Sequence, residues 1–261
     1  MVDLLMRVRP AQLCEVLKAC LRISRIECTA STNCRYWIDP VSIFGVALAR
    51  SGIHEEALTR LLQGLLREGD RFVDIGANEG YFSILAGTLV GHGRVYAIEP
   101  QSRLQQVLRK NVELNGLRNV QLEQLAITDA EGQVNLLLRP STNTGASSLI
   151  RHWKLGGARE RVSATTLDRF FSDRGLERVR LLKVDCEGAE SFVFREANGV
   201  LGKQSIDYIA LEYHPTIIGA EGCRRIHDAI VRHGYRLAKP NGLSVYHSAA
   251  ARAPAGTILN S

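Results

Sequence analysis

The stretch Phe72-Val73-Asp74-Ile75-Gly76-Ala77-Asn78-Glu79-Gly80-Tyr81-Phe82 decides how this chain is read. Arg71–Ile75 is rich in Val, Ile and Phe, and two glycines follow within five residues: a strand running into a tight turn. A helix begins near Gly80. The next strand, Arg94–Ile98, closes at Glu99-Pro100. Strand, turn, helix and strand in that order form one unit of a parallel sheet.

The same turn selects the ligand. A dinucleotide fingerprint needs Gly-x-Gly-x-x-Gly, and counted from Gly76 the second and third glycines fall on Asn78 and Tyr81. The second glycine lets backbone approach a pyrophosphate, so a pyrophosphate is disfavoured. No Gly-Lys-Ser/Thr follows, as a P-loop would require. What remains is Asp74 at the strand end, Gly76, Asn78 and Gly80 in the turn, and Glu99 ending the second strand. Glu99 can accept hydrogen bonds from both ribose hydroxyls. Asp74 would repel phosphate and welcome an ammonium or sulfonium group. A cationic adenosine derivative without phosphates fits these demands: S-adenosyl-L-methionine.

Working outward, strand and helix signals alternate. A helix over Glu55–Arg67 precedes the first strand, and a helix over Ser102–Leu114 with stop signal Asn115-Gly116 follows the second. Val120–Ile127 reads as the third strand. Gln133–Leu138 and Arg161–Ala164 read as two strands flanking a long polar loop, Pro140–Ala158, and Leu167–Arg174 as a short helix. Strand Arg180–Val184 ends in Asp185-Cys186-Glu187-Gly188 and leads to helix Ala189–Ala197. Strand Ile206–Leu211 ends in Glu212-Tyr213-His214-Pro215 and leads to helix Gly222–His233. Tyr235–Ala238 and Leu243–Tyr246 form a hairpin about Pro240-Asn241-Gly242, adding an antiparallel edge. The rhythm predicts an α/β fold with a mainly parallel sheet, whose ligands lie beyond the carboxyl ends of the strands.

The chain has 261 residues, 45% of them hydrophobic and 23% charged, which excludes a disordered or collagen-like protein. The longest apolar runs are far short of the roughly 20 residues of a membrane-spanning helix. Lys and Arg exceed Asp and Glu by six, without any basic run of five or more, so nucleic acid is disfavoured as partner. Six cysteines show no C-x-x-C spacing, and residues 1–10 lack the apolar core of a secretion signal, so a cytoplasmic protein is expected. Residues 1–35 read as an extension built on an amphipathic helix, Ala11–Ile26, that packs on the main domain or pairs two copies into a homodimer. Residues 249–261 read as a flexible tail.

Methyl transfer from such a cofactor needs the acceptor aimed along the C–S axis, and an acceptor that carries a proton needs a base as well. Asp185 and Glu187 share one face at the end of their strand, and Glu212 and His214 share one face at the end of the next. All four converge near one mouth. His214 is taken as the base for its ordinary pKa. Asp185 would position the methionyl amine or the acceptor hydroxyl, and Glu187 and Glu212 would orient the acceptor or the histidine. Lys183 is assigned to an ion pair within the fold, and Glu190 to helix N-terminal charge. The four groups could also hold a divalent metal, but their spacing dictates no coordination shell and a metal is not favoured. In the loop, Ser147, Ser148, His152 and Trp153 could hydrogen-bond and stack on a sugar.

Four stretches resemble the FkbM family of S-adenosylmethionine-dependent methyltransferases: Trp37–Pro40 with Gly52–Glu55, Phe72–Phe82, Ser163–Phe170, and Leu182–Glu190, LKVDCEGAE. The likeness covers about 36–248, and the last run is the distinctive one. It departs at His54 and Cys186, neither of which removes a charge. The resemblance implies a Rossmann-like class I fold, a seven-stranded mostly parallel sheet with a β-segment inserted before the fourth strand. It further implies O-methylation of a hydroxyl on a sugar, polyketide or related small acceptor. Two rivals remain: an RNA ribose methyltransferase, and a non-catalytic S-adenosylmethionine-binding protein on the same fold.

Overall fold

The structure is a computed structural model and describes residues 11–150, 158–239 and 243–252. Helix α1 (Ala11–Cys20) leads into the hairpin β1 (Ile26–Thr29) and β2 (Arg35–Ile38), then α2 (Ile43–Ser51) and α3 (Glu56–Leu65). The alternating part follows: β3 (Arg71–Ile75), α4 (Tyr81–Leu89), β4 (Arg94–Ile98), α5 (Ser102–Leu114) and β5 (Val120–Glu123). An inserted segment holds β6 (Ala126–Thr128), β7 (Gly132–Leu137), a 3₁₀ turn (Ser141–Ala146) and β8 (Arg159–Thr166). The chain ends with α6 (Leu167–Asp173), β9 (Val179–Val184), α7 (Glu190–Arg195), α8 (Asn198–Gly202), β10 (Ile206–Leu211), α9 (Pro215–Val231), β11 (Arg236–Ala238) and β12 (Ser244–His247).

Seven strands form the main sheet in the order β11-β12-β10-β9-β3-β4-β5. The pairs β4–β5, β3–β4, β3–β9 and β9–β10 are parallel, and β12 runs antiparallel to both neighbours. The order reverses between β3 and β9, so the crevice opens beyond their carboxyl ends. Alternation along the strands splits the core into two layers. Val73, Ile75, Leu182 and Val184 face Phe170, Phe194 and Ile230. Phe72, Leu181 and Tyr208 face Leu61, Leu62, Leu65 and Ile84. Each such fully buried side chain contributes about 1.5–3 kcal/mol.

The structure corrects several expectations. Val120–Ile127 is not one strand: β5 stays in the main sheet, while β6 pairs with β8 in a separate three-stranded sheet ordered β6-β8-β7. No glycine or proline marks the break; the local sign is that the alternation slips at Glu123-Gln124, two polar residues in a row. The terminal hairpin places β12 inside the sheet and β11 at its edge; its turn, 240–242, lies outside the described residues, as do 253–261 of the tail. The first helix stops at Cys20, because Arg22 takes a left-handed φ of 51°, a stop with no Gly or Pro to announce it. The hairpin β1–β2 follows, and the division drawn between residues 35 and 36 falls inside it. Helix α1 packs Cys14 and Leu17 against Val41 and leaves Leu13 and Val16 exposed. Helix α9 starts at Pro215, with a break at Gly219. Among the described residues no helix is long and apolar enough to cross a membrane.

Candidate active site

The turn after β3 is shaped by its neighbour across the sheet. Gly76 has φ 82°, and a Cβ there would stand 1.8 Å from the Asp185 carbonyl oxygen. Only glycine lets the two turns at the switch point approach so closely. Gly80, at φ 88°, begins α4 where a Cβ would meet Leu108. Asn78 lies between them at φ 49° and donates its amide to Glu99 Oε2 at 2.9 Å.

Glu99 is buried at the end of β4. Its Oε1 accepts from the Gln101 amide at 2.9 Å, so each oxygen holds one backbone N–H and keeps a lone pair. Burial raises its pKa, against the pull of the two amides. Around it lie Ile98, Pro100, Leu125, Ala126, Ile127, Leu136, Cys186 and Ala189, the apolar walls of a pocket whose polar rim is Asn78, Gln101, Ser147 and Asp185. Glu99, Asn78, Gly76 and Gly80 thus come together as expected. Asp74 does not join them. It is fully buried, accepts a hydrogen bond from Ser83 Oγ at 2.6 Å, and lies 3.1 Å from Lys183 Nζ. Its charge is spent on that lysine, not on an ammonium or sulfonium. Burial opposes the charge on Lys183, but Asp74 and Asp185 outweigh it and raise its pKa.

The other side of the crevice is lined by Glu55, Lys183, Asp185, Glu187, Glu212 and His214. His214 Nε2 stands 3.7 Å from Asp185 Oδ1 and 4.0 Å from Glu187 Oε2, and Nδ1 stands 3.0 Å from Glu190 Oε1. The four predicted residues do converge. Burial raises Asp185, helped by Glu55 and against Lys183 and His214. Burial together with Asp185 and Glu55 pushes Glu212 up to about 7. Burial works against a charged His214, but Glu190, Asp185 and Glu187 prevail and raise it to about 9. Donor atoms of Asp185, Glu212 and His214 lie within 4.8 Å of one another, close enough for one cation, although the Lys183 ammonium stands 3.6 Å from the same Asp185.

The sequence reading missed Glu55, which the left-handed start of α3 (φ 44°) turns toward the cleft and which binds His54 Nε2 at 3.0 Å. Burial would raise Glu55, but His54 lowers it. The loop serines have partners within the fold. Ser147 is buried and donates to Gln101 Oε1 at 3.1 Å, and Ser148 is buried and donates to the Glu187 carbonyl at 2.7 Å. Both fasten the loop, and Ser147 also lines the pocket beside Glu99. His152 and Trp153 lie outside the described residues. The loop is not structureless: Thr144 in the 3₁₀ turn donates to Asn78 Oδ1 at 2.8 Å and accepts from Gln101 Nε2 at 3.2 Å. It crosses the crevice between the pocket beside Glu99 and the acidic side. Arg25 reaches in from before β1 and pairs with buried Glu79 of the cofactor turn at 2.7 and 3.1 Å.

A model of the methyltransferase FkbM domain matches residues 74–237, more than half of the chain. The chain belongs to the FkbM methyltransferase family. The resemblance carried by Leu182–Glu190 is thereby upheld, and with it the class I α/β fold and S-adenosylmethionine as cofactor. A second model, of protein-L-isoaspartate(D-aspartate) O-methyltransferase, matches residues 1–133. The chain is 30% identical to methyltransferase sdnD of Sordaria araneosa over 152 residues, 47% of this chain and 58% of that one. It is 26% identical to the 2-O-methyltransferase NoeI of Sinorhizobium fredii over 168 residues, 57% of this chain and 66% of that one. The matched stretches span less than two thirds of the curated relatives' length. Among solved structures, the precorrin-6y C5,15-methyltransferase of Geobacter metallireducens superposes with a TM-score of 0.45 at 16% identity, covering 75% of this chain and 89% of that one.

Proposed function

We propose that this FkbM-family chain methylates a hydroxyl group of a small, phosphate-free acceptor, a sugar, polyketide or related metabolite. The observation that carries this reading is the place of Glu212 at the cleft mouth, its carboxylate within 4.8 Å of donor atoms of Asp185 and His214, where burial with Asp185 and Glu55 raises its pKa to about 7. Such a group accepts a proton near neutral pH and returns it easily to solvent, as a general base for a hydroxyl must.

The cofactor fits the residues present: Glu99 keeps a lone pair on each oxygen for the ribose hydroxyls, and the walls about it are apolar. When bound, S-adenosylmethionine supplies a methyl group on a positively charged sulfur. Glu99 and the 76–80 turn would hold that cofactor, and the acidic mouth would aim the acceptor hydroxyl at the methyl group it supplies. Glu212 takes the hydroxyl proton. The base role moves here from His214 to Glu212, because Glu190, Asp185 and Glu187 hold the imidazole protonated at neutral pH. His214 then acts as a cation that holds Asp185 and Glu187 and keeps Glu212 ionised. A cavity of about 380 Å³ beyond Glu212, with Leu58, Ala210, Leu211 and Leu243 in its walls, gives the acceptor room; small-molecule sites run from roughly 300 to 1,000 Å³.

Against an RNA acceptor stand the four carboxylates Glu55, Asp185, Glu187 and Glu212 at the mouth, which repel phosphates. For oxygen speaks the likeness to NoeI, a 2-O-methyltransferase. The test is labelled-methyl transfer onto a panel of sugars and polyketides, with RNA alongside. The expected result is transfer to a hydroxylated small molecule, lost in Glu212→Gln with cofactor binding intact. Transfer to RNA alone, or unchanged turnover in Glu212→Gln, would overturn it.

A further inference from the structure

We propose that Glu190 is the positioning residue of the site: one of its two oxygens, Oε1, orients the His214 ring and ties down the turn that carries Asp185 and Glu187. The proposal rests on the acid–base reading of the cleft given above. Glu190 is fully buried at the start of α7. Its Oε1 accepts from the Cys186 amide at 3.0 Å and the Gly188 amide at 3.1 Å, and faces His214 Nδ1 at 3.0 Å. The turn it ties is an unusual one, with Glu187 at φ 51° and Gly188 at φ 96°. Left-handed backbone at a non-glycine residue persists only where its surroundings fix it.

A carboxylate can only accept, so Nδ1 must carry the proton facing it. That bond fixes the ring plane and turns Nε2 toward Asp185 and Glu187. The groups around the ring are Glu190 on α7, Asp185 and Glu187 on the turn after β9, and Glu212 at the end of β10. Glu190 makes the one contact of hydrogen-bond length among the His214 ion pairs. An acid favoured by a helix dipole would need no histidine partner and no convergence of two loop amides. The sequence places Glu190 five residues after Asp185 and 24 before His214, so only the fold joins them.

The test uses the full chain and the substitution Glu190→Gln. A glutamine oxygen still accepts from the two amides, so the turn survives while the charge is gone. The His214 ring is followed by NMR against pH, its resonance identified by its loss in His214→Asn; no acceptor is needed. In the wild type the expected midpoint is about 9. In Glu190→Gln it falls by at least one pH unit, and the acidic limb of the turnover profile moves up as Glu212 loses its cationic neighbour. If Glu190→Gln does not fold, Glu190→Asp is read the same way with a smaller fall. An unchanged midpoint in a folded variant overturns the proposal. If no acceptor is turned over by the wild type, the function proposed above fails while the titration still decides the role of Glu190.

Discussion

Asp74 and Lys183 are register partners on adjacent parallel strands β3 and β9, and their charged atoms lie 3.1 Å apart at the centre of the sheet. Both are almost wholly buried, under helix α4, which supplies the Ser83 hydroxyl to Asp74 and the Phe82 ring 5.5 Å from the Lys183 ammonium. Removing one partner strands the other. Lys183→Met is therefore expected to destabilise the fold by about 3–5 kcal/mol, and Asp74→Asn in the same chain to recover much of that. Urea unfolding of the two single variants and the double variant measures the coupling. Additive losses would show that the pair is not coupled.

Gly76 sets how closely the first and fourth parallel strands' turns approach. Gly76→Ala forces a methyl onto the Asp185 carbonyl at a φ of 82°. Backbone strain of this kind costs of order 1–3 kcal/mol before the overlap is counted. The expected outcome is a lower melting temperature and loss of S-adenosylmethionine binding, by calorimetry. Binding at wild-type strength would show that the turns can separate freely.

Glu99 offers two oxygens to two amide donors. Glu99→Gln replaces one oxygen with an NH₂ group, which must then face either the Asn78 or the Gln101 amide. A hydrogen bond to a charged group is worth about 1.5–3 kcal/mol, so cofactor affinity should fall by roughly ten- to a hundred-fold. Titration calorimetry reads this directly. The ligand-free variant should also melt earlier, since the turn is held by the same carboxylate.

The alternating half of the chain was legible because its signals are local. The strands Arg71–Ile75, Arg94–Ile98 and Ile206–Leu211 and the helix Ser102–Leu114 coincide with the pattern read from spacing alone. The four residues Asp185, Glu187, Glu212 and His214 could be placed at one mouth because consecutive parallel strands end on the same side. What stayed hidden depends on partners distant in sequence. β6 leaves the main sheet to pair with Ala164–Thr166, 38 residues away. Asp74 looks like a ligand group until Lys183 is seen opposite it. Ser147 and Ser148 look like sugar contacts until Gln101 and the Glu187 carbonyl claim them. Glu190 looks like a capping acid until His214 arrives from the next strand.

The cleft should make the protein lose stability as pH rises. His214 has a folded pKa of about 9, above the ordinary imidazole value of about 6.5. The native state therefore binds its proton more tightly than the unfolded chain does. That contribution is complete below about pH 6.5 and is lost as pH climbs through 9. Glu212, raised to about 7 from an unfolded value near 4.5, acts in the same direction: its contribution is complete below 4.5 and lost through 7. Asp185, also raised, adds to the trend at the acidic end. Glu55 opposes it, because its folded pKa is lowered and its contribution is lost as pH falls. The expected outcome is a melting temperature that declines between about pH 5 and 9, with the decline flattened in Glu212→Gln. The same substitution should remove the acidic limb of the turnover profile near pH 7 and lower turnover by roughly 10²–10⁴-fold, the usual share of general base catalysis. A limb centred near 9 in the wild type would return the base role to His214.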